Sequence, residues 1–331
     1  MVSSKESTTF IEYVKTIGNA AAPSQIGFRN PVDVALGPDD LVYVLSHAAE
    51  NTPKGNRVAK FTLEEEDFLG EFGSTGSEPG QFIWPNSLTT DQEGNLYVTD
   101  EWLHRVSVFD PEGNLLRHWG EEGDSPGHLN RPAGITNDAE DNLLLVDSLN
   151  HRVQRFTRDG EFLHQWGSPG SGEGELDTPW GICLDPSGMV YVADWRNDRI
   201  QKFDHSGQFL MSIGETGSGV GRLSRPSGVA VDADGNIYVA DWGNDRVQVF
   251  DQGGRFSTEI LGDATMSKWG EERLSSNPEN MLGQRRQARS LEPEKRFVHP
   301  VSVKIDRMGQ IIVVDSARHR LQIFRRSSGG D

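Results

Sequence analysis

Short runs of apolar, β-branched and aromatic residues recur along the chain, and glycine or proline separates them at regular intervals. One run reads Asn-Ile-Tyr-Val-Ala-Asp at 236–241, and related runs stand at 95–100, 142–147, 189–194 and 310–315. Five residues after each aspartate, an arginine opens a second run that ends in phenylalanine; these arginines are Arg105, Arg152, Arg199, Arg246 and Arg320. Runs of this length between turn residues predict β-strands and not helices.

A degenerate sixth copy comes first in the chain, at 41–46, with Arg57 and Phe61 after it. Successive arginines are 48, 47, 47, 47 and finally 74 residues apart. A period near 47 residues, with four strands in each copy, is typical of a propeller blade. We therefore predict an all-β, six-bladed β-propeller that uses residues 1–331 as one domain. The first strand of each blade should follow a proline, at Pro31, Pro85, Pro132, Pro179, Pro226 and Pro300.

The two ends of the chain predict how the ring closes. The last copy stops after its third strand, at 324–326. Residues 13–18, Tyr-Val-Lys-Thr-Ile-Gly, have the pattern of a fourth strand that belongs to no other copy. We expect them to complete the last blade, because this pairing removes an exposed sheet edge.

The long final interval exceeds the period by 27 residues, and this excess falls within the segment 264–294. Asn277 followed by Pro278 fits the start of a helix, and the arginines farther along suit the negative end of one. We expect one or two short helices on a rim of the propeller. They either decorate the surface or form a lid over one end of the central channel.

Charge and composition narrow the classes of function. The chain has 50 acidic and 32 basic residues and a net charge of −18, which argues against nucleic acid and anionic membranes as partners. Its one cysteine excludes an intrachain disulfide. No segment approaches the ~20 apolar residues of a spanning helix, and no apolar segment typical of a signal peptide follows the first residues given. We expect a cytoplasmic monomer.

The Asp-x-x-Asn-x-Arg stretches at 147–152, 194–199 and 241–246 resemble those of the NHL-repeat family. The resemblance covers nearly the whole chain outside the insertion and implies the same six-bladed propeller. We interpret the repeated aspartates and arginines as structural pairs within each blade, because their spacing is constant. The histidines in the same frame, His104, His151 and His319, are interpreted as features of the repeat and not as ligands.

Positions that differ from blade to blade are the better candidates for a site. The residues on either side of each strand-A proline and those after each strand-B aspartate should meet at one mouth of the channel. Trp180, Trp195 and Trp242 on adjacent blades would flank one patch, unless they only pack between blades. The predicted ligand-binding residues are Trp84, Asn86, Trp102, Arg131, Trp180, Trp195, Arg225, Trp242 and His299. The catalytic candidates are His47, Glu101 and Arg196, with His47 as a possible general base because imidazole titrates near neutrality.

The six copies with a degenerate first blade also resemble the peptidyl-α-hydroxyglycine α-amidating lyases. In that family zinc is held by histidines directly after strand-A prolines. The matching residues here are Val32, Asn86, Ala133, Trp180, Ser227 and Val301, and none is a histidine. His47 aligns with an arginine of that family. We therefore expect no metal at these positions, and the sequence leaves any cofactor open.

Two classes of function follow from these patterns. The first is binding of a small molecule, or an enzymatic reaction on one, in a tryptophan-rich pocket at the mouth of the channel. Neither the substrate nor the presence of catalysis can be read from the residues. The second is a protein-interaction scaffold that uses one face of the propeller.

Overall fold

A computed structural model describes residues 9–20, 26–47, 55–276 and 292–328. Six four-stranded antiparallel sheets form a ring of blades, as predicted. The first three blades consist of β2 (Pro31–Leu36), β3 (Leu41–Ser46), β4 (Arg57–Thr62) and β5 (Phe68–Phe72); β6 (Pro85–Thr90), β7 (Leu96–Asp100), β8 (Arg105–Phe109) and β9 (Leu115–Trp119); and β10 (Pro132–Asn137), β11 (Leu143–Asp147), β12 (Arg152–Phe156) and β13 (Phe162–Trp166).

The other three blades follow the same order. They consist of β14 (Ile182–Leu184), β15 (Val190–Asp194), β16 (Arg199–Phe203) and β17 (Phe209–Ile213); β18 (Pro226–Val231), β19 (Ile237–Asp241), β20 (Arg246–Phe250) and β21 (Phe256–Ile260); and β22 (Pro300–Ile305), β23 (Gln310–Asp315), β24 (Arg320–Ser328) and β1 (Thr9–Ile17). Helix α1 (Lys268–Ser276) and helix α2 (Glu292–Lys295) lie between β21 and β22. No helix in these described ranges is long and apolar enough to cross a membrane.

The core lies between the blades. Each of the six apolar clusters joins two neighbouring sheets; for example, Tyr43 and Leu45 of the first blade pack with Leu96 and Phe109 of the second. The second and third strands are buried on both faces because a blade is covered on both sides. The innermost strands β2, β6, β10, β14, β18 and β22 contact one another in turn and enclose the channel.

The fourth blade departs from the predicted strand bounds. Its inner strand was expected to follow Pro179 but begins only at Ile182. The carbonyl of Trp180 accepts a hydrogen bond from the N–H of Gly134 in the neighbouring blade, at 2.8 Å. A Cβ atom on Gly181 would lie 2.5 Å from the carbonyl oxygen of Ser227, so only glycine permits this close approach. Within the fourth blade, the Trp180 N–H and the Gly181 carbonyl both bond to Ala193 of β15 at 2.8 Å. This irregular pairing precedes the regular strand, which starts at Ile182.

Four of the five repeated aspartate–arginine pairs form as predicted. In the second blade, Arg105 makes no hydrogen bond to Asp100 and, among the described residues, binds only the carbonyls of the preceding loop, such as that of Gln81. Asp147 is fully buried and accepts hydrogen bonds from Asn150, Arg152 and Gln154 at 2.8–3.0 Å. Burial raises the pKa of this carboxyl group, and hydrogen bonds from the Asn130 N–H, Asn150 and Arg152 oppose the rise. Further Arg152 N–H groups bind carbonyl oxygens of the preceding loop, including that of Ser125. Equivalent Arg–Asp distances of 2.8–2.9 Å occur at Arg199–Asp194, Arg246–Asp241 and Arg320–Asp315.

The residue before each strand-C arginine links neighbouring blades. It has a left-handed backbone in five blades, and its side chain accepts a hydrogen bond from the N–H of the residue before the next strand-A proline. The pairs are His104 with Arg131, His151 with Thr178, Asp198 with Arg225, Asp245 with His299, and His319 with Asn30, at 2.7–3.2 Å. The structural interpretation of the three histidines is thereby confirmed.

His319 makes this link sensitive to acid. Burial, and then the nearby Arg29, lower its pKa in the folded protein below the ordinary value. The unfolded chain therefore takes up this proton at a higher pH than the folded chain. The His319 contribution is complete above the ordinary histidine pKa of about 6.5 and declines as the pH falls from there towards the folded value.

We expect His319→Asp to reduce the loss of melting temperature between pH 7.5 and pH 5. Aspartate keeps the acceptor, as Asp198 and Asp245 do in other blades, without the histidine titration. Thermal denaturation followed by circular dichroism measures the effect. The control is His205→Asp at an exposed turn, which should leave the pH dependence unchanged. Equal losses in the original protein and in His319→Asp would contradict the assignment.

The ring closes through the N-terminal strand, as predicted. β1 pairs antiparallel with β24 from Thr9–Ser328 to Ile17–Leu321 and completes the sixth blade. The strand runs from Thr9 to Ile17 and not from 13 to 18, because β24 itself extends to Ser328 and offers partners to the earlier residues.

The described part of the insertion packs against the closure of the ring. Trp269 of α1 is buried among Phe28, Phe61 and Phe68, and its indole N–H donates to the carbonyl of Glu66 at 2.8 Å. The hydroxyl of Ser267 donates to the carbonyl of Gly18. Short helices are present as predicted. The predicted helix start at Asn277 and Pro278 lies outside the described residues.

Candidate functional site

Strand pairing brings the two sets of candidate positions to the same end of the channel. Pro85 pairs with Asp100, so the residue before the proline and the residue after the aspartate are neighbours. The N–H of Glu101 donates to the carbonyl of Trp84 at 2.9 Å, and the N–H of His47 donates to that of Asn30 at 3.1 Å. We call this end, formed by the residues before the strand-A prolines and after strand B, the proline mouth.

The candidate residues at the proline mouth form contacts that cross from one blade to the next. In each contact, the residue after strand B meets the residue before the proline of the following blade. The pairs are His47 with Trp84, ring centroids 4.9 Å apart; Glu101 with Arg131, 3.2 Å; Trp195 with Arg225, 4.9 Å; and Trp242 with His299, 4.5 Å. Eight of the twelve predicted residues belong to these four pairs.

The other four candidates lie outside these pairs and differ in their exposure and contacts. Trp102 is 53% exposed, and the Arg131 guanidinium lies 5.8 Å from its ring. The ring of Trp180 lies 6.2 Å from that of Trp195. Asn86 is buried, whereas Arg196 is exposed to solvent. The three catalytic candidates thus stand in different settings on blades one, two and four.

Glu101 is the buried acid of the proline mouth. It is only 9% exposed, and burial raises the pKa of its carboxyl group. The Arg131 guanidinium and, more weakly, the Asn86 amide oppose this rise. One oxygen, Oε1, binds Arg131, while Oε2 is buried without a hydrogen-bond partner among the described residues. A buried acceptor without a hydrogen bond costs free energy, so this site favours a ligand that can donate one.

Below the rim, the channel narrows to a throat. Val32, Asn86, Trp180, Ser227 and Val301, the residues directly after the prolines, line a cavity of about 20 Å³. This volume suits a water molecule and is far below the roughly 300 Å³ of a small ligand pocket. In this conformation, a ligand at the proline mouth would lie across the rim and not inside the channel.

The opposite end of the channel opens into a larger cavity, which sequence reasoning did not anticipate. This cavity, the turn-side chamber, has a volume of about 390 Å³ and is lined by the ends of the inner strands, including Thr89, Asn137, Cys183 and Lys304. A further depression of about 900 Å³ adjoins it between the third and fourth blades. The channel therefore has two unlike mouths.

One ion pair stands between the two mouths. Asp33 is buried in the throat and accepts hydrogen bonds from the hydroxyls of Ser87 and Ser302 at 2.5 and 2.6 Å. The Lys304 ammonium lies 3.5 Å from the same carboxylate. The sequence contained a signal for both, because they are the only charged residues in the inner-strand segments 31–36, 85–90, 132–137, 179–184, 226–231 and 300–305.

Metal ligands do not gather at either mouth in the part of the chain that the structure describes. There, no group of three or more histidine, cysteine, aspartate or glutamate side chains is placed to hold an ion. The chemistry available at the proline mouth is therefore that of indole faces, guanidinium groups, two imidazoles and one buried carboxyl group.

Comparison with known proteins agrees with the repeat and the fold. Residues 176–203, 223–250 and 297–324 match the model of the NHL repeat, and these segments lie in the last three blades. No curated protein matches the chain significantly. The chain thus carries NHL repeats within a six-bladed propeller.

Solved structures with a similar fold are distant in sequence. A streptogramin B lyase is 12% identical, with a TM-score of 0.58 over 96% of this chain and 98% of that one. A protein of unknown function from Bacteroides thetaiotaomicron is 16% identical, with a TM-score of 0.64 over 97% and 77%. The WD40 propeller domain of Doa1 is 15% identical, with a TM-score of 0.57 over 96% and 97%. Identities this low demonstrate a shared fold alone.

Proposed function

We propose that the proline mouth binds a small molecule that has a flat ring and an acidic group. The observation that carries this proposal is the series of four cross-blade pairs, three of which contain an indole ring and two of which contain a guanidinium group. Tryptophan offers a broad apolar face to a ring, and arginine offers paired donors to a carboxylate. Arg225 is exposed to solvent, whereas Arg131 is half-buried and already paired with Glu101.

Each end of such a ligand has a partner at the proline mouth. The exposed Arg225 guanidinium lies over the ring of Trp195, 4.9 Å from its centre, so a ligand ring against the uncovered part of the indole would place its acidic group near the guanidinium. On the second blade, the unpaired Oε2 of Glu101 would accept a hydrogen bond from a hydroxyl or amine of the ligand. His47 and Glu101 are the groups that would transfer protons if the bound molecule reacts.

We expect indole-3-acetate to bind more tightly than its neutral amide. Arg225→Ala should weaken the binding of indole-3-acetate about tenfold. A charge-assisted hydrogen bond of about 1.5 kcal/mol accounts for this factor. Trp195→Ala should weaken both compounds, because both stack on the indole. Isothermal titration and ligand-observed NMR measure the affinities, with Leu210→Ala on an exposed outer strand as the control. Equal binding of acid and amide would contradict the proposed acid recognition.

A protein-interaction surface is the second candidate, and the narrow throat favours it. A cavity of about 20 Å³ leaves the rim shallow, while Trp102 and Trp84 remain exposed. Tryptophan and arginine are enriched in the energetically dominant residues of protein interfaces. If indole-3-acetate does not bind, but Trp102→Ala abolishes capture of a partner protein and Leu210→Ala does not, this second function is the correct one.

We also infer that the protein acts as a monomer in the cytoplasm, without nucleic acid. The acidic balance of 50 to 32 charged residues supports the exclusion of nucleic acid. Closure of the sixth blade by β1 leaves no unfinished blade to recruit a second copy. A dimer in multi-angle light scattering would contradict the monomer.

A further inference from the structure

The turn-side chamber contains a lysine ammonium group whose N–H donors are available to a ligand. The side chain of Lys304 is 25% exposed and lines both the throat and the chamber. Its nearest acidic partner, Asp33, lies 3.5 Å away, which is longer than a good N–H···O hydrogen bond. Asp33 borders the throat and not the chamber. The chamber is therefore exposed to the ammonium group but not to the carboxylate.

The Asp33 carboxylate has hydrogen-bond donors on both oxygens without Lys304. Its two oxygens accept hydrogen bonds from the hydroxyls of Ser87 and Ser302 and from the N–H groups of Val34 and Leu88. Four donors disperse the negative charge of the carboxylate, so it has little need of a full ion pair. The ammonium group, with three N–H donors, is held at the channel axis and remains available to a second anion.

The other residues that line the chamber indicate which kind of ligand body would fit it. Leu36, Leu88, Ile182, Leu184 and Val231 form the apolar part of the wall around a volume of about 390 Å³, whereas Thr90, Asn137 and Asp91 add polar groups to it. The Asp91 carboxylate already accepts hydrogen bonds from Asn95 and Tyr97. This volume lies in the range of pockets that hold small molecules. Arg307 adds a second positive charge at the outer edge. An anion with an aliphatic body would bury its chain on this wall and direct its charged head to Lys304.

We propose that the turn-side chamber binds small aliphatic carboxylates, with the carboxylate on Lys304. This site is separate from the proline mouth, because only the narrow throat connects the two. It is tested through residues that the proposed function of the proline mouth does not use, so either proposal can fail alone.

Cys183 provides a natural reporter inside the chamber. It is the only cysteine of the chain, and it lines the same cavity as Lys304. Burial raises the pKa of its thiol to about 12, and the positive charge of Lys304 acts in the opposite direction, which places the two groups within electrostatic reach. Methanethiosulfonate reagents convert a thiol to a mixed disulfide: the thiolate attacks the reagent sulfur and methanesulfinate leaves. Mass spectrometry then follows one modification at one position.

We expect anionic sulfonatoethyl methanethiosulfonate to modify Cys183 faster than cationic trimethylammonioethyl methanethiosulfonate, after each rate is divided by that on the urea-unfolded chain. Lys304→Met should lower this ratio about tenfold, because it removes the charge that attracts one reagent and repels the other. Arg325→Met, which removes an exposed cation on β24, is the matched control and should not change the ratio. Lys304→Gln repeats the test if the methionine variant does not fold.

Binding itself is tested on the unaltered protein. Sodium hexanoate should slow the modification of Cys183 by neutral methyl methanethiosulfonate at least fivefold at saturation, whereas hexanamide should not. A ratio that is unchanged in Lys304→Met, or equal protection by hexanoate and hexanamide, would overturn the proposal. Failure of every reagent to reach Cys183 in the folded protein would also overturn it, because a chamber closed to these reagents cannot admit hexanoate.

Discussion

Removal of residues 1–18 should lower the stability of the whole ring by about 5 kcal/mol or more, and the melting temperature by roughly 10 °C or more. The deletion removes every hydrogen bond between β1 and β24. It also removes Ile17, which is fully buried, and the contact of Tyr13 with Phe324. The newly exposed edge of β24 would invite association between molecules.

The control for this deletion is Phe10→Ala within the same strand. Phe10 is 56% exposed, so its loss should leave the melting temperature nearly unchanged. Differential scanning calorimetry and light scattering measure stability and association together. A synthetic peptide of residues 9–18 should restore part of the lost stability when it is added to the truncated protein. A truncated protein that melts at the original temperature would show that the ring does not depend on β1.

Trp269→Ala should cost about 3–5 kcal/mol, although Trp269 belongs to an insertion that lies outside the repeat. At three blade interfaces, an aromatic residue at the end of one blade packs on the strand-C phenylalanine of the next: Phe72 on Phe109, Trp119 on Phe156, and Trp166 on Phe203. At the interface between the sixth and first blades, the last strand ends in Ile17. Trp269 supplies the aromatic ring, 5.5 Å from that of Phe61. Helix α1 of the insertion therefore packs over the closure, and we expect it to stabilise the ring there.

Urea denaturation would measure this effect. Trp102→Ala removes the same side chain at an exposed position and should change the free energy of unfolding by less than about 0.5 kcal/mol. Trp269→Phe should fall between the two, because it keeps a ring in the cluster but loses the hydrogen bond to Glu66. If Trp269→Ala is as stable as Trp102→Ala, the insertion is only a decoration.

Sequence reasoning succeeded where the determining interactions repeat with the chain. The number of blades followed from the spacing of the arginines, and the role of the Asp147–Arg152 pair followed from a constant separation of five residues. It failed at the start of β14, where the carbonyl of Trp180 bonds to Gly134 of the third blade and Gly181 lies close to Ser227 of the fifth. Local pattern carries no information about that lateral contact.

The sequence by itself determined the propeller, its six blades, its closure by the N-terminal strand and the structural role of the repeated residues. These properties depend on period and strand pattern, which are local quantities. The tertiary structure alone decided that Trp195 meets Arg225 across a blade boundary, that Trp269 supports the closure, and that Asp33 and Lys304 share the channel. Asp33 and Lys304 are brought together only because the ring joins the first blade to the last. Closure follows from the strand pattern, but which side chains meet across a blade boundary depends on how the inner strands pack, and spacing along the chain does not specify that packing.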